Sequence, residues 1–308
     1  MKLVYVGTSR FAVPALLALQ PHVCAVVTQP DRPAGRRLHL RPSPVKEAVL
    51  GWRVPVLTPE SCRSPEFLRA IADLQPTALV VASYGQILPL QLLECAERGG
   101  INLHASLLPK LRGAAPIQRC LLQGESETGV TLMQMDRGMD TGDIIAQEAT
   151  AIKADETASE LESRLSRIAA SLIEKWISRI AAGDYPRTPQ NDRDATYAPK
   201  VEKSEAEISF LRPAGVEYRR FRAFSEMPGA FVRTVWGRVK LLEVRPRPDP
   251  AAPGEAIRTS PELVVAHSEG ALSWLQVAPE GKKRMSGLEF ANGYRIQPGM
   301  NLLHGKEN

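Results

Sequence analysis

The sequence predicts an α/β chain with a Rossmann-like, mostly parallel sheet domain, followed by a smaller β-barrel domain of OB-like type. Three observations predict it. Through the first half, short apolar runs alternate with helical stretches, the βαβ signature of a parallel sheet. Residues 184–204 are polar and punctuated by proline, as a connecting segment would be. Beyond them, short alternating runs are separated by Gly and Pro turns, as in small all-β domains. A chain of 308 residues also exceeds the usual single domain, so a division at 1–183, 184–204 and 205–308 is expected.

Leu3–Val6 reads as the first strand, Gly7–Arg10 as a turn, and Phe11–Leu19 as a short helix that tolerates Pro14 in its first turn. Val23–Thr28 reads as the second strand. Residues 29–44, with Pro30, Pro33, Pro42 and Pro44, read as a long loop, of the kind that is usually functional or disordered. Val54–Leu57, Thr77–Ala82 and Gly100–Leu103 supply further strands, with helices over Pro65–Leu74 and Pro89–Arg98 between them. Gly129–Met135 and Ile144–Ile152 are close enough to be an antiparallel addition. Thr157–Ala182 carries the longest helical pattern, closed by Gly183. Pro213–Phe224 reads as a helix, and Ala230–Val235, Val239–Val244, Leu263–Ala266 and Leu272–Ala278 as strands of an open barrel.

Composition narrows the function classes. Apolar residues make up 44% of the chain, enough for packed cores and too many for wholesale disorder. The net charge of +5 is unevenly placed. Residues 1–202 hold 23 Lys/Arg against 22 Asp/Glu, whereas residues 203–308 hold 16 against 12. The excess in the last third hints at a polyanionic partner, although a generic basic surface has the same balance. Cys24, Cys62, Cys95 and Cys120 are widely spaced and form no zinc-type cluster, so they read as reduced thiols, and no metal is expected. No secretory leader and no apolar run near the ~20 residues of a membrane span is visible, which suggests a soluble, cytoplasmic protein.

The most informative segment is Ile101 to Gly113. Asn102 and His104 alternate at a strand end and so share a face, roughly 6–7 Å apart. An amide beside a titratable imidazole suits a reaction in which negative charge develops on a carbonyl oxygen while a proton moves. Taken alone, such a pair reads better as a strand end meeting solvent. A second polar cluster runs from Met135 to Asp143. Its carboxylates at 136, 140 and 143 do not have the spacing of a calcium loop. Asp136 and Asp143 read as Asx-turn residues of a hairpin. Asp140 is expected to reach the Asn102–His104 pair from a neighbouring loop at the same sheet edge. The turn at Gly7-Thr8 lacks the G-x-G-x-x-G pattern and the acidic residue of a dinucleotide site.

Three stretches together carry a resemblance: Asn102-x-His104-x-Ser106-Leu107-Leu108-Pro109, then Arg112-Gly113-Ala114-Ala115-Pro116-Ile117-Gln118, then Asp136-x-Gly138-x-Asp140-Thr141-Gly142-Asp143. In this order they resemble the signature of the folate-dependent formyltransferases. Thr28–Arg36, Tyr84–Pro89, Tyr197–Lys200, Arg222–Phe224 and Pro228–Phe231 extend the resemblance, over nearly the whole chain, to the methionyl-tRNA formyltransferase family. The chain departs from that pattern at Ser9, where proline is usual, and at Gly35-Arg36-Arg37-Leu38-His39, where Gly-Arg-Gly-Lys-Lys is usual.

The resemblance implies transfer of a formyl group from 10-formyltetrahydrofolate to the α-amine of methionyl initiator tRNA, with no metal. It implies that Asn102, His104 and Asp140 are catalytic, and that Ser106, Leu107, Leu108 and Pro109 border the folate. Tyr84, Gly85, Gln86, Ile87 and Leu88 are implied on the folate side as well. In such an aminolysis, Asn102 and His104 donate to the oxyanion, while Asp140 fixes the imidazole tautomer or receives an amine proton through water. Ser106 has no evident base and reads as a loop hydrogen-bonder. Arg36, Arg37 and Arg41 of the insertion loop, with Lys200 and Lys203, are expected to contact tRNA phosphates. A formyltetrahydrofolate hydrolase or dehydrogenase, a formyltransferase acting on a ribonucleotide or nucleotide sugar, and an RNA-binding protein on an inactive core are the competing readings. Nothing requires more than a monomer.

Overall fold

Burial decides where strands form in the first half of the chain. Leu3–Gly7 (β1), Val23–Val27 (β2), Val56–Leu57 (β5), Ala78–Ala82 (β6) and Gly100–His104 (β7) are runs with little polar content. They form the parallel part of a seven-stranded sheet, in the order β5-β2-β1-β6-β7. Glu127–Gln134 (β8) joins β7 antiparallel, and Ile144–Ala151 (β9) joins β8 antiparallel, the addition that the short connection predicts. The computed structural model describes residues 1–34 and 39–303.

One sheet face packs on Pro65–Leu74 (α3) and Leu90–Leu93 (α4), with Val4, Val6, Ala25, Val27, Leu79 and Val81 against Phe67, Ile71, Leu92 and Leu93. Each of the Val, Leu, Ile and Phe side chains among them contributes roughly 1.5–3 kcal/mol by leaving water. The bounds of α3 are those read from sequence, because Ser64 caps it by accepting from the Phe67 N–H and Pro65 opens it. Helix α4 is shorter than expected. After it the N–H groups of Glu97 and Arg98 bond to Pro76 and Thr77, so the backbone leaves the helix to feed β7. The longest helix, Ala158–Ala182 (α6), buries Leu161, Leu165, Ala169, Leu172, Ile173, Ile177 and Ile180 at helical spacing.

The expected helix over Phe11–Leu19 is a 3₁₀ turn followed by Val13–Ala18 (α1). Within 29–34 and 39–44, parts of the expected long loop, the chain has structure of its own. Arg32–Ala34 (β3) and His39–Arg41 (β4) pair antiparallel, Asp31 binds Lys46 at 2.8 Å, and Thr28 and Ser43 hydroxyls meet at 2.6 Å. Ser43 then caps Pro44–Ala48 (α2). Arg36 and Arg37 lie outside the described residues.

The chain divides into two units, one of Met1–Pro116, Ser126–Ile152 and Leu161–Pro199, the other of Ile117–Glu125, Lys153–Glu160 and Lys200–Asn308. The second therefore takes in most of Pro116–Gln123 (α5). Its sheet runs β10-β11-β12-β15-β14-β13, with strands Glu207–Ile208 (β10), Phe231–Thr234 (β11), Gly237–Arg247 (β12), Ala256–Arg258 (β13), Leu263–Ala266 (β14) and Ala271–Pro279 (β15). Met285–Ser286 (β16) pairs with β15. Irregular register near Glu243 bends β12, so this mostly antiparallel sheet curls into an open half-barrel. Ala214–Phe224 (α7) and Gly287–Gly293 (α8) cover a core of Phe210, Phe221, Leu241, Trp274 and Phe290.

His267, 1% exposed, belongs to that core. Its Nδ1–H donates to the Ser209 carbonyl, its Nε2 has no partner, and burial lowers its pKa to about 4. The unfolded chain takes up this proton near pH 6.5, so the stability held by the neutral ring is complete above that pH. It is lost as the pH falls toward about 4. Unfolding of the second unit in urea should therefore cost roughly 2 kcal/mol less at pH 5 than at pH 7 from this group alone. His267→Gln should flatten the dependence, and an unaltered pH profile would refute the assignment.

Candidate active site

Asn102 and His104 occupy the face of β7 that continues the row Val6, Val81, since Val6 pairs with Val81 and Val81 with Asn102. Apolar neighbours thus set the face, and the two polar side chains stand at the carboxyl end of the strand. The following turn is tied from below. Thr131, opposite His104, donates to the Ser106 carbonyl at 2.6 Å and accepts from the Leu108 N–H and from Gln147. The buried Ser106 hydroxyl donates to the Lys110 carbonyl at 2.6 Å, which makes it a fastening of the turn. Leu107 and Pro109 are half-buried and Leu108 is buried.

The turn ends at Leu111, which is left-handed with φ +61°. That conformation brings its carbonyl to 2.9 Å from His104 Nε2. A carbonyl only accepts, so Nε2 carries the hydrogen and Nδ1 is the nitrogen left to gain or lose a proton. The Leu111 carbonyl therefore sets the tautomer, and of the two roles expected for Asp140, fixing the tautomer or receiving an amine proton through water, the first is met by the backbone.

Asp140 does face Nδ1, with Oδ2 at 3.6 Å and an ion pair available whenever the ring is protonated. The same oxygen accepts from the Gly113 N–H at 2.8 Å, and Oδ1 takes a long bond of 3.4 Å from the Asn102 amide. The Asn102 amide retains a second N–H for an incoming oxygen. His104 and Asp140 side chains are only 7% and 17% exposed.

The route by which Asp140 arrives differs from the expectation of a shared sheet edge. Because β8 runs antiparallel, it ends beside the amino end of β7, where the Met135 N–H bonds to Gly100. The loop 136–143 must fold back over the sheet to reach Asn102. It does so with Asp140 at φ +56° and with Gly142 packed so closely that a Cβ would lie 1.9 Å from the Gln134 carbonyl. Asp136 accepts from the Gly138 N–H and Thr141 hydroxyl, and Asp143 binds Arg187 at 2.9 Å, so both carboxylates are engaged within the loop and its flank. Among the described residues no group of three His, Cys, Asp or Glu is placed to hold a metal.

Sequence reasoning missed the residues that hold this loop. Gln190 donates to the carbonyls of Asp140 and Gly142, and accepts from the buried Arg112. No motif points to Gln190. It stands in a segment that composition alone marks as a connector.

Within Tyr84–Leu88, Tyr84 and Leu88 are buried, and the Tyr84 hydroxyl accepts from the Cys62 thiol. Burial pushes the pKa of both groups up. Gln86 is spent on the Cys62 N–H and on the Pro59 and Glu60 carbonyls. Ile87 is 80% exposed, and Gly85, at φ +92°, has open space where a Cβ would stand. A ligand can therefore meet this segment at Gly85 and Ile87. Arg41, Lys200 and Lys203 are exposed, the first on β4 and the others in the second unit.

Residues 11–177 match the formyl transferase family profile, and residues 200–295 match that of the formyl transferase C-terminal domain. A methionyl-tRNA formyltransferase of Symbiobacterium thermophilum is 44% identical over 97% of this chain and 94% of its own. One from Geobacter metallireducens is 39% identical over 99% of each. Among solved structures, an N-formyltransferase from Helicobacter canadensis in complex with folinic acid and dTDP-3-aminofucose superposes with TM-score 0.64. It is 19% identical, over 89% of this chain and 98% of that one. HypX from Aquifex aeolicus in complex with tetrahydrofolic acid gives TM-score 0.65 at 14% identity, over 100% of this chain and 50% of that one. At these identities the two structures share the fold.

Gly113 gives a direct check on the geometry. At φ +118°, a Cβ there would approach the Ala198 carbonyl oxygen to 2.8 Å. Gly113→Ala should cost about 1–3 kcal/mol of stability and lower the thermal transition by several degrees. A variant that melts like the wild type would mean that the Gly113–Ala198 approach is not tight.

Proposed function

The chain belongs to the formyl transferase family, in its methionyl-tRNA formyltransferase branch, and we propose that it transfers the formyl group of 10-formyltetrahydrofolate to the α-amino group of methionyl initiator tRNA. The observation that carries the chemistry is the meeting of the Asn102 amide, His104 Nδ1 and the Asp140 carboxylate at one strand end. Folate is a consumed substrate in this reading, and it supplies the activated formyl carbon.

Each of the three residues has its own task. The free N–H of Asn102 donates to the formyl oxygen as negative charge gathers there. His104, with Nε2 held by Leu111, takes the proton of the attacking amine on Nδ1 and returns it to the departing nitrogen. Asp140 stabilises the ring while it carries that proton. The folate side is assigned to the open backbone at Gly85 and to the exposed Ile87, in the loop after β6, the parallel neighbour of the strand that leads into the 106–109 turn. Full-length relatives of about 40% identity favour a tRNA acceptor over water or a sugar nucleotide. The acceptor stem is assigned to Arg36, Arg37 and Arg41, from the segment after β2, and to Lys200 and Lys203. A monomer acting in the cytoplasm fits this role. Among the described residues no helix is long and apolar enough to cross a membrane.

Incubating the protein with formyltetrahydrofolate, with and without charged initiator tRNA, tests the reading. Formylation confined to the charged tRNA is expected, and release of formate to water in its absence would point to a hydrolase. His104→Ala should lower kcat by ~10²–10⁴-fold with the fold retained. Near wild-type turnover in that variant would remove His104 from the chemistry.

The lysine assignment has its own check. Replacing Lys200 and Lys203 together by alanine should reduce the slope of log affinity for tRNA against log salt by roughly 0.7–0.9 for each phosphate that is no longer neutralised. An unchanged slope would leave both lysines without a phosphate partner.

A further inference from the structure

Asp140 is the least self-sufficient member of the site. Its backbone is left-handed, at φ +56°, a region that residues other than glycine seldom occupy. Its loop has also been turned back over the sheet against the direction in which β8 leaves it. Something outside the loop has to hold that conformation.

Gln190 is placed to do so. Its Nε2 donates one hydrogen to the Asp140 carbonyl at 2.8 Å and the other to the Gly142 carbonyl at 2.7 Å. Its Oε1 accepts from Arg112 Nε at 3.1 Å and Nη2 at 2.9 Å. Both donors and both lone pairs of the amide are thus used, which fixes its plane and the sense in which it points. Arg112 is itself immobilised. It is 2% exposed, its Nη2 also reaches Asp192 at 2.8 Å, and its backbone bonds to Thr196 and Ala198. The next residue is Gly113, whose N–H holds the Asp140 carboxylate. Arg112 and Gly113 therefore grip Asp140 at both ends, the carboxylate directly and the backbone through Gln190.

We propose that Gln190 is a positioning residue: oriented by Arg112, its amide holds the Asp140–Gly142 turn in the conformation that aims the carboxylate at His104 Nδ1. This rests on the reading of Asp140 as a participant in formyl transfer. A bare brace between Arg112 and the returning segment would need only an acceptor at position 190. Holding the two carbonyls needs a donor, and the two roles separate on that point.

The test uses the full chain and compares Gln190→Ala and Gln190→Glu, each also in an Asp140→Asn background, with kcat, both KM values and thermal unfolding measured. Gln190→Ala should lose kcat by ~10²-fold, the cost of a small misplacement, with both KM values little changed. Gln190→Glu keeps the volume and the Arg112 pairing but sets a carboxylate against two carbonyl oxygens, and should lose at least as much. In the Asp140→Asn background neither substitution should cost a further factor beyond about two, because residues acting as a unit are not additive. Near wild-type kcat in Gln190→Glu, losses that multiply with Asp140→Asn, or a loss confined to KM would each overturn the proposal. Failure of both Gln190 variants to fold would also overturn it, since Gln190 would then be a stability residue. If Asp140→Asn alone keeps full turnover, the role of Asp140 fails instead, and the two failures are distinguishable.

Discussion

The hydrogen bond from the Gly113 N–H to the Asp140 carboxylate sets the terms for much of the first unit. For it to form, the chain beyond β7 must curl so that position 113 faces back toward the strand it came from. That demands a left-handed Leu111 and a Gly113 at φ +118°, packed on the Ala198 carbonyl. The second demand brings in the end of residues 184–199, a segment already tied to the sheet where Thr188 pairs with Ile144 and Tyr185 donates to Gln134. Thr196 bonds to Leu111 and Arg112, Ala198 to Arg112, and Gln190 to Asp140. Three segments distant in sequence converge, and the entropy of closing those loops is offset by a dense set of buried hydrogen bonds.

The same constraint explains where the site lies. In an open parallel sheet the ligand crevice is expected at the switch point, here between β1 and β6. In this chain Thr8 closes that gap, its N–H bonding to Ser83 and its hydroxyl donating to Tyr84. A Cβ at Gly7 would meet the Ala82 carbonyl at 2.9 Å, so the two strand ends pack without room between them. Polar side chains appear instead one strand over, at the end of β7, where the sheet changes from parallel to antiparallel. The reversal sends the β8–β9 loop away from the site, and the loop's return over the sheet face supplies the third polar group.

Sequence disclosed the parts of this arrangement that burial or a side chain announces. The apolar runs of β1, β2, β6 and β7 and the capped start of α3 were legible because pattern and structure have one cause there. So was the pairing of Asn102 with His104, since period-two alternation leaves no other choice once the strand is known. The β3–β4 ladder was not legible, because Pro33 and Pro42 signal a loop while the pairing uses backbone groups. Helices α2, α5 and α8 are too short for their periodicity to stand out. Within the site, the groups that fix His104 and Asp140 are the Leu111 carbonyl, the Gly113 N–H and the Gln190 amide. Two are backbone atoms, which no residue type encodes, and the third is a neutral side chain in a stretch whose composition says only that it connects.

Fixing Nε2 on a carbonyl also limits what His104 contributes. A ring with both nitrogens free could donate to one group and accept from another. Here only Nδ1 exchanges a proton, and it points toward a carboxylate. The neutral ring therefore has no hydrogen to offer a developing oxyanion, and offers one only after it has accepted a proton. In the proposed reaction, donation from the start falls to Asn102, whose amide is charge-neutral at every stage and keeps one N–H unspent. The order of events follows from this. In the proposed transfer the amide polarises the carbonyl first and the imidazole accepts the amine proton second, with the carboxylate 3.6 Å from the ring nitrogen that receives it. In that reading the placement of the carboxylate matters to turnover, and the firm hold on a loop turned back against its natural course serves it.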